Sequence, residues 1–174
     1  MTEVTAAALA THRFWHGMSH RQLAVLAQCA SDVRFPPGHQ LFEDGGHARR
    51  FWLIRSGYVV LDLNVPGEGP VKLETIGLGE LLGWSWLFPP FRWAFGAVTA
   101  GPVEAFEFDA QAVRACCEAD PRLGYEVTRR LAQVVANRLQ ATRVRLISVS
   151  AQAASDAADA RLRGRTKVPR LGGE

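Results

Sequence analysis

Arg92 is the only charged residue between Gly83 and Ala100, and six aromatic side chains crowd around it: Trp84, Trp86, Phe88, Phe91, Trp93 and Phe95. They are six of the sixteen aromatics in the 174-residue chain, packed into twelve positions beside Pro89-Pro90. So much aromatic surface needs a core to bury it or a partner to cover it. Three uses compete. The rings can collapse into a core. They can line a pocket for an apolar or planar ligand, with Arg92 as its polar handle. They can form a docking surface, for which Trp, Phe and Arg are typical energetic anchors.

Other chemistry-bearing residues combine poorly. His12, His16 and His20 stand four apart, which would align them on one helix face, but Gly17 and a capping Ser19 start a helix after His16, so no metal site is expected. Cys29, Cys116 and Cys117 offer no CxxC spacing and cannot make a four-thiolate cluster, which favours reduced thiols in the cytoplasm. Glu43 and Asp44 read first as turn residues. No GxSxG, HExxH or phosphate-loop pattern occurs, so an enzyme is not expected and no catalytic residue is assigned.

These groups must be positioned by mixed elements. SHRQLAVLAQCASD, residues 19–32, reads as an amphipathic helix with Phe14 and Trp15 as anchors upstream. Strands are expected at Gln40–Phe42, Phe51–Arg55, Tyr58–Asn64, Lys72–Thr75, Phe95–Thr99 and Val103–Phe108, separated by Gly- and Pro-rich turns. Phe51, Leu53, Val59, Leu61 and Leu63 alternate at period two across a hairpin expected at Gly57 and would fill one side of the roll. Helical patterning then returns over Ala110–Glu118, and Asp120-Pro121 opens a long helix. Along it Leu131, Val135, Leu139, Thr142, Leu146 and Val149 follow a near-heptad seam. That seam packs on the body or pairs with a second copy; Leu131, Val135, Leu139 and Leu146 are the candidates for a homodimer contact.

The chain is 48% hydrophobic and 21% charged, ordinary for a globular protein, and its net charge of +3 resides mainly in Arg161, Arg163, Arg165, Lys167 and Arg170. Residues 1–150 are therefore expected to form one nearly neutral domain and 151–174 a disordered basic tail. Neither a signal peptide nor a membrane-spanning run is apparent.

The order helix, PPGHQLFEDGGHARRFWLIRSGYVVLDL, then the aromatic run and a long helix resembles the cyclic nucleotide-binding domain family, the sensor of catabolite-activator-like regulators. Gly38, Gly45, Gly57 and Gly83 fall at that family's turns. The resemblance covers roughly residues 9–150. It implies an α+β, mainly β fold: an antiparallel double-stranded β-helix, or jelly-roll-like β-roll, flanked by an N-terminal helix and a long C-terminal helix. It also implies that the phosphate-binding cassette spans Gly83 to Ala100, with a glutamate after the glycine for the ribose and an arginine for the phosphate.

Here those two positions are Trp84 and Ala94. Arg92 lies one pleat earlier, displaced by about 6–7 Å along an extended segment. Loss of a charge-assisted bidentate contact costs about 1.5–3 kcal/mol, so ordinary cyclic AMP binding is not expected. Candidate pocket residues are Gly83, Trp84, Ser85, Trp86, Arg92, Trp93, Ala94, Phe95 and Thr142, the last because the resemblance places it where relatives contact the base. Transcription factors of the family continue into a helix-turn-helix domain of roughly seventy residues, whereas 24 residues follow Ser150, so sequence-specific DNA binding is not expected. The expected function is a non-catalytic regulatory or assembly module, dimeric, with a protein partner at the cassette and no certain cofactor. The alternatives are a cyclic nucleotide sensor using Arg92, and a catabolite-activator-type regulator.

Overall fold

Eight strands form two four-stranded antiparallel sheets that wrap into a roll. The computed structural model describes residues 3–165, with side chains as far as Gln152. The first sheet has the order β1 (Ala30–Phe35), β8 (Val103–Asp109), β3 (Arg50–Ser56), β6 (Leu81–Leu82). The second has the order β2 (Gln40–Phe42), β7 (Gly96–Thr99), β4 (Val59–Val65), β5 (Gly69–Ile76). Neighbours in each sheet are mostly distant in sequence, which gives the β-roll. The β3–β4 link shows why the turn needs glycine: Gly57 has φ +82°, and a Cβ there would stand 2.1 Å from the Pro102 carbonyl oxygen.

The alternation reading needs one correction. Phe51 and Leu53 are buried as expected, but so are Trp52 and Ile54, all at 3% exposure or less. Strand β3 therefore has no solvent face. Phe51 looks toward the helical layer, stacked on Phe108 at 4.7 Å, while Trp15 meets Phe108 edge-on at 5.8 Å. Trp52 looks toward the second sheet, against Phe42 at 5.7 Å.

The helical elements are α1 (Ala6–Ala10), a 3₁₀ turn (Arg13–Trp15), α2 (His20–Ala27), α3 (Ala110–Ala119) and α4 (Pro121–Arg165). Ser19 and Gln22 make a reciprocal capping box at α2. The expected helix over 19–32 ends early, because Ala30–Phe35 is recruited to the edge of the first sheet, Ala30 opposite Phe108 and Phe35 opposite Val103. His12 is buried in the helical layer. Its Nδ1 accepts from the Phe14 N–H (3.3 Å), so Nε2 carries the proton and donates to the Ile54 carbonyl (3.2 Å). Burial foremost holds its pKa below the usual 6.5.

The chain divides into two units, one ending at Leu131 and one beginning at Ala132. In the first, Leu123, Val127 and Leu131 are each 1% exposed. Leu131 is thus a core residue of the body rather than a contact for a second copy. In the second unit Leu139 and Leu146 are exposed, together with Val144, Ile147 and Val149, and Val135 is half-buried. The helix continues to Arg165, beyond the Ser150 boundary expected from sequence, and residues 166–174 of the expected basic tail lie outside the described residues. No helix among the described residues is long and apolar enough to cross a membrane.

Candidate functional site: the aromatic cassette and the roll mouth

The segment from Gly83 to Ala100 runs from the end of β6 in the first sheet to β7 in the second, and places Trp86 and Trp93 against opposite faces of β3. A 3₁₀ turn, Ser85–Leu87, follows Trp84 and buries Trp86 completely against Phe51, ring centroids 4.8 Å apart and nearly parallel. Arg114 on α3 secures that turn. Its Nη1 donates to the Trp86 carbonyl (2.7 Å), and its guanidinium covers the Phe91 ring at 4.7 Å. The Trp86 indole N–H is buried without a partner among the described residues, as is that of Trp15.

Beyond the cis Pro89-Pro90 peptide, Phe91 adopts left-handed backbone at φ 55°. Pairing to the preceding turn holds it there: Ala48 N–H donates to the Phe91 carbonyl (2.8 Å), Gly45 N–H to the Trp93 carbonyl (2.9 Å), and Trp93 N–H to the Gly46 carbonyl (2.9 Å). Side chains alternate along this ribbon. Trp93 enters the roll at 5% exposure, stacks on Phe42 at 3.9 Å and lies 6.2 Å from Trp52. Arg92 points away, exposed, with Nη1 donating to the Gly45 carbonyl at 2.6 Å. Gly83 has φ +81°, and a Cβ on it would stand 2.7 Å from the Trp93 ring, so the two ends of the cassette close on each other only with glycine here.

The sequence-derived candidates thus separate. Gly83, Trp86 and Trp93 are buried; Trp84 and Ser85 are half-buried; Arg92, Ala94 and Phe95 are exposed. Thr142 is exposed in the second unit. Sequence reasoning passed over a polar set beside Trp93. Glu107 accepts from the Trp52 indole N–H (2.9 Å) and pairs with Arg50 (2.9 Å), and His39 stacks on Phe35 at 5.0 Å. The alternation on β3 and β8 was its only signal, since Arg50, Trp52 and Glu107 share a face through pairing of residues 55 apart.

Cys29 and Cys117 are poor nucleophiles. Cys29 and Cys116 lie 3.8 Å apart, and burial first, with the Cys116 contact second, pushes Cys29 up to about 12. Burial likewise pushes Cys117 up to about 11. Among the described residues no three His, Cys, Asp or Glu converge to hold a metal ion.

Residues 32–120 match the cyclic nucleotide-binding domain family. A CRP-like cAMP-activated global transcriptional regulator of Mycobacterium tuberculosis is 28% identical over 134 residues, 77% of this chain and 58% of that protein, so the chain spans less than two thirds of this relative. Among solved structures, a putative cyclic nucleotide-binding protein from Geobacter metallireducens GS-15 superimposes with a TM-score of 0.71 at 23% identity, over 78% of this chain and 98% of that one. A cAMP-binding acyltransferase from Mycobacterium smegmatis gives 0.64 at 28% identity, over 78% of this chain and 41% of that one. With a family match that spans both the roll and the cassette, this protein belongs to the cyclic nucleotide-binding domain family.

Proposed function

We propose that this chain is a non-catalytic regulatory module that keeps its family's roll without its cyclic-phosphate chemistry, acting through protein contacts and a ligand other than a cyclic nucleotide. One observation carries the reading. Trp84 and Ala94 stand where the family resemblance puts glutamate and arginine, and the neighbouring Arg92 is turned outward onto the Gly45 carbonyl at 2.6 Å. A cyclic phosphate brought to this cassette would meet indole and methyl groups where it needs a guanidinium, and an unpaired phosphate is costly to desolvate. Catalysis is not part of the reading, and the raised thiol pKa values weigh against a cysteine nucleophile. Exposed Phe88 and Phe95 favour a protein contact at the cassette, and exposed Leu139 and Leu146 favour a homodimer through α4. A cytoplasmic setting belongs to the same proposal.

A second reading, a cyclic nucleotide sensor using Arg92, is favoured by the similarity to the cAMP-activated M. tuberculosis regulator and the cAMP-binding M. smegmatis acyltransferase and by the exposed, exchangeable bond of Arg92. Calorimetric titration with cyclic AMP and cyclic GMP separates the two. The proposal expects no saturable binding; micromolar binding abolished by Arg92→Ala establishes the sensor instead. Light scattering across concentrations tests the dimer, which fails if the chain stays monomeric at high concentration.

A further inference from the structure

A cleft of about 280 Å³ opens between the sheets where the edge strands β1 and β2 meet the cassette, lined by Phe35, His39, Arg49, Arg50, Trp52, Trp93 and Glu107 among others. Of the cassette, only Trp93 contributes to it; Trp84, Arg92 and Ala94 do not. The site is thus separate from the positions that the family resemblance assigns to cyclic phosphate.

Its charges are unequally committed. The two Glu107 oxygens are taken by Arg50 and by the Trp52 indole N–H, each at 2.9 Å, which balances Arg50 and fixes Trp52. Arg49 is placed by its main chain: its N–H donates to the His47 carbonyl and its carbonyl accepts from the Ala110 N–H, both at 2.9 Å. Its guanidinium has no hydrogen-bond or ion-pair partner among the described residues. The cleft therefore presents one uncompensated cation in a lining that includes Trp52, Trp93 and the stacked Phe35–His39 pair.

Size narrows the ligand further. Pockets for drug-sized ligands run to roughly 300–1,000 Å³, so a cleft just below that range suits one ring rather than a nucleotide. A guanidinium fork matches a carboxylate in plane, and indole faces favour a flat ring over a puckered one.

We propose that this cleft binds a small planar carboxylate, one aromatic ring bearing one carboxylate, with Arg49 receiving the anion and Trp52 and Trp93 contacting the ring. The proposal rests on the reading that the module's ligand is not a cyclic nucleotide. Both tryptophans are reporters, so benzoate titrated into the full chain is followed by indole fluorescence.

Saturable quenching is expected. Arg49→Met, which keeps the apolar stem at an exposed position, should raise the dissociation constant about tenfold or more through loss of the charge-assisted contact. Arg21→Ala, at an exposed position of α2 outside the cleft lining, should leave it unchanged, and cyclohexanecarboxylate, of equal charge but puckered, should bind at least about threefold more weakly. Absent saturation, or equal affinity in wild type and Arg49→Met, overturns the proposal. Cyclic AMP titrated in parallel reports on the underlying reading alone: binding abolished by Arg92→Ala overturns that reading, whatever benzoate does.

Discussion

Adjacent residues of β3, Phe51 and Trp52, face two aromatic clusters of similar density and different character. On the Phe51 side, Trp86, Phe108 and Trp15 pack against helices, and two indole N–H groups are buried without a partner among the described residues. On the Trp52 side, Trp93 and Phe42 pack beside Glu107, Arg50, Arg49 and His39, and the Trp52 indole is hydrogen-bonded. A core tolerates unsatisfied indoles when nothing polar can reach them, at about 1–3 kcal/mol each. A ligand site brings polar groups to the ring edges. Aromatic enrichment alone therefore does not mark a binding site; convergence of polar groups on the rings does.

That contrast can be broken most forcefully at Trp86. Trp86→Ala should destabilise the fold by about 3–5 kcal/mol in urea denaturation, because the sealed side cannot admit solvent to the cavity. Trp86→Phe, which removes the unpaired N–H, should cost far less; equal losses would mean that the indole nitrogen has a partner after all. Gly83→Ala comes next, at about 1–3 kcal/mol, since it forces a Cβ onto left-handed backbone against the Trp93 ring. Its telling readout is a red-shifted indole emission as Trp93 is pushed toward the cleft.

His12 sharpens the sealed side through pH. Its folded pKa lies below 6.5, so the unfolded chain takes up a proton first as pH falls. Its stability contribution is complete above pH 6.5 and is lost as pH drops through the folded pKa, and His12→Gln should flatten that limb of the stability–pH curve. The smallest effect belongs to Arg92→Ala. An exposed arginine on a turn carbonyl should contribute under about 0.5 kcal/mol, and a larger loss would make Arg92 a structural clamp on the cassette.

Much of the roll was legible because its strands alternate between glycine-marked turns, and all six expected strands are present. Strand β1 was not, since no Gly or Pro separates Ala30 from the helix before it and its strand character comes from pairing with β8, 68 to 78 residues away. The two-residue β6 is too short to carry a period. The extension of α4 past Ser150 follows from Ala-rich helix propensity, which leaves no period of large apolar residues to read. At the cassette, composition located the aromatic run, while Trp84 and Ala94 as substituted ligand positions are what the family resemblance implies. Composition could not assign Trp86 and Trp93 to opposite faces, because that depends on where Phe51 and Trp52 lie across a different strand. The Arg92–Gly45 bond was equally hidden, linking residues 47 apart.

The central claim is that this roll no longer reads cyclic phosphate at its cassette. Calorimetric titration of the full chain with cyclic AMP tests it directly. The account predicts no saturable heat up to about 1 mM, weaker than about −4 kcal/mol of binding. A micromolar isotherm that disappears in Arg92→Ala would contradict it.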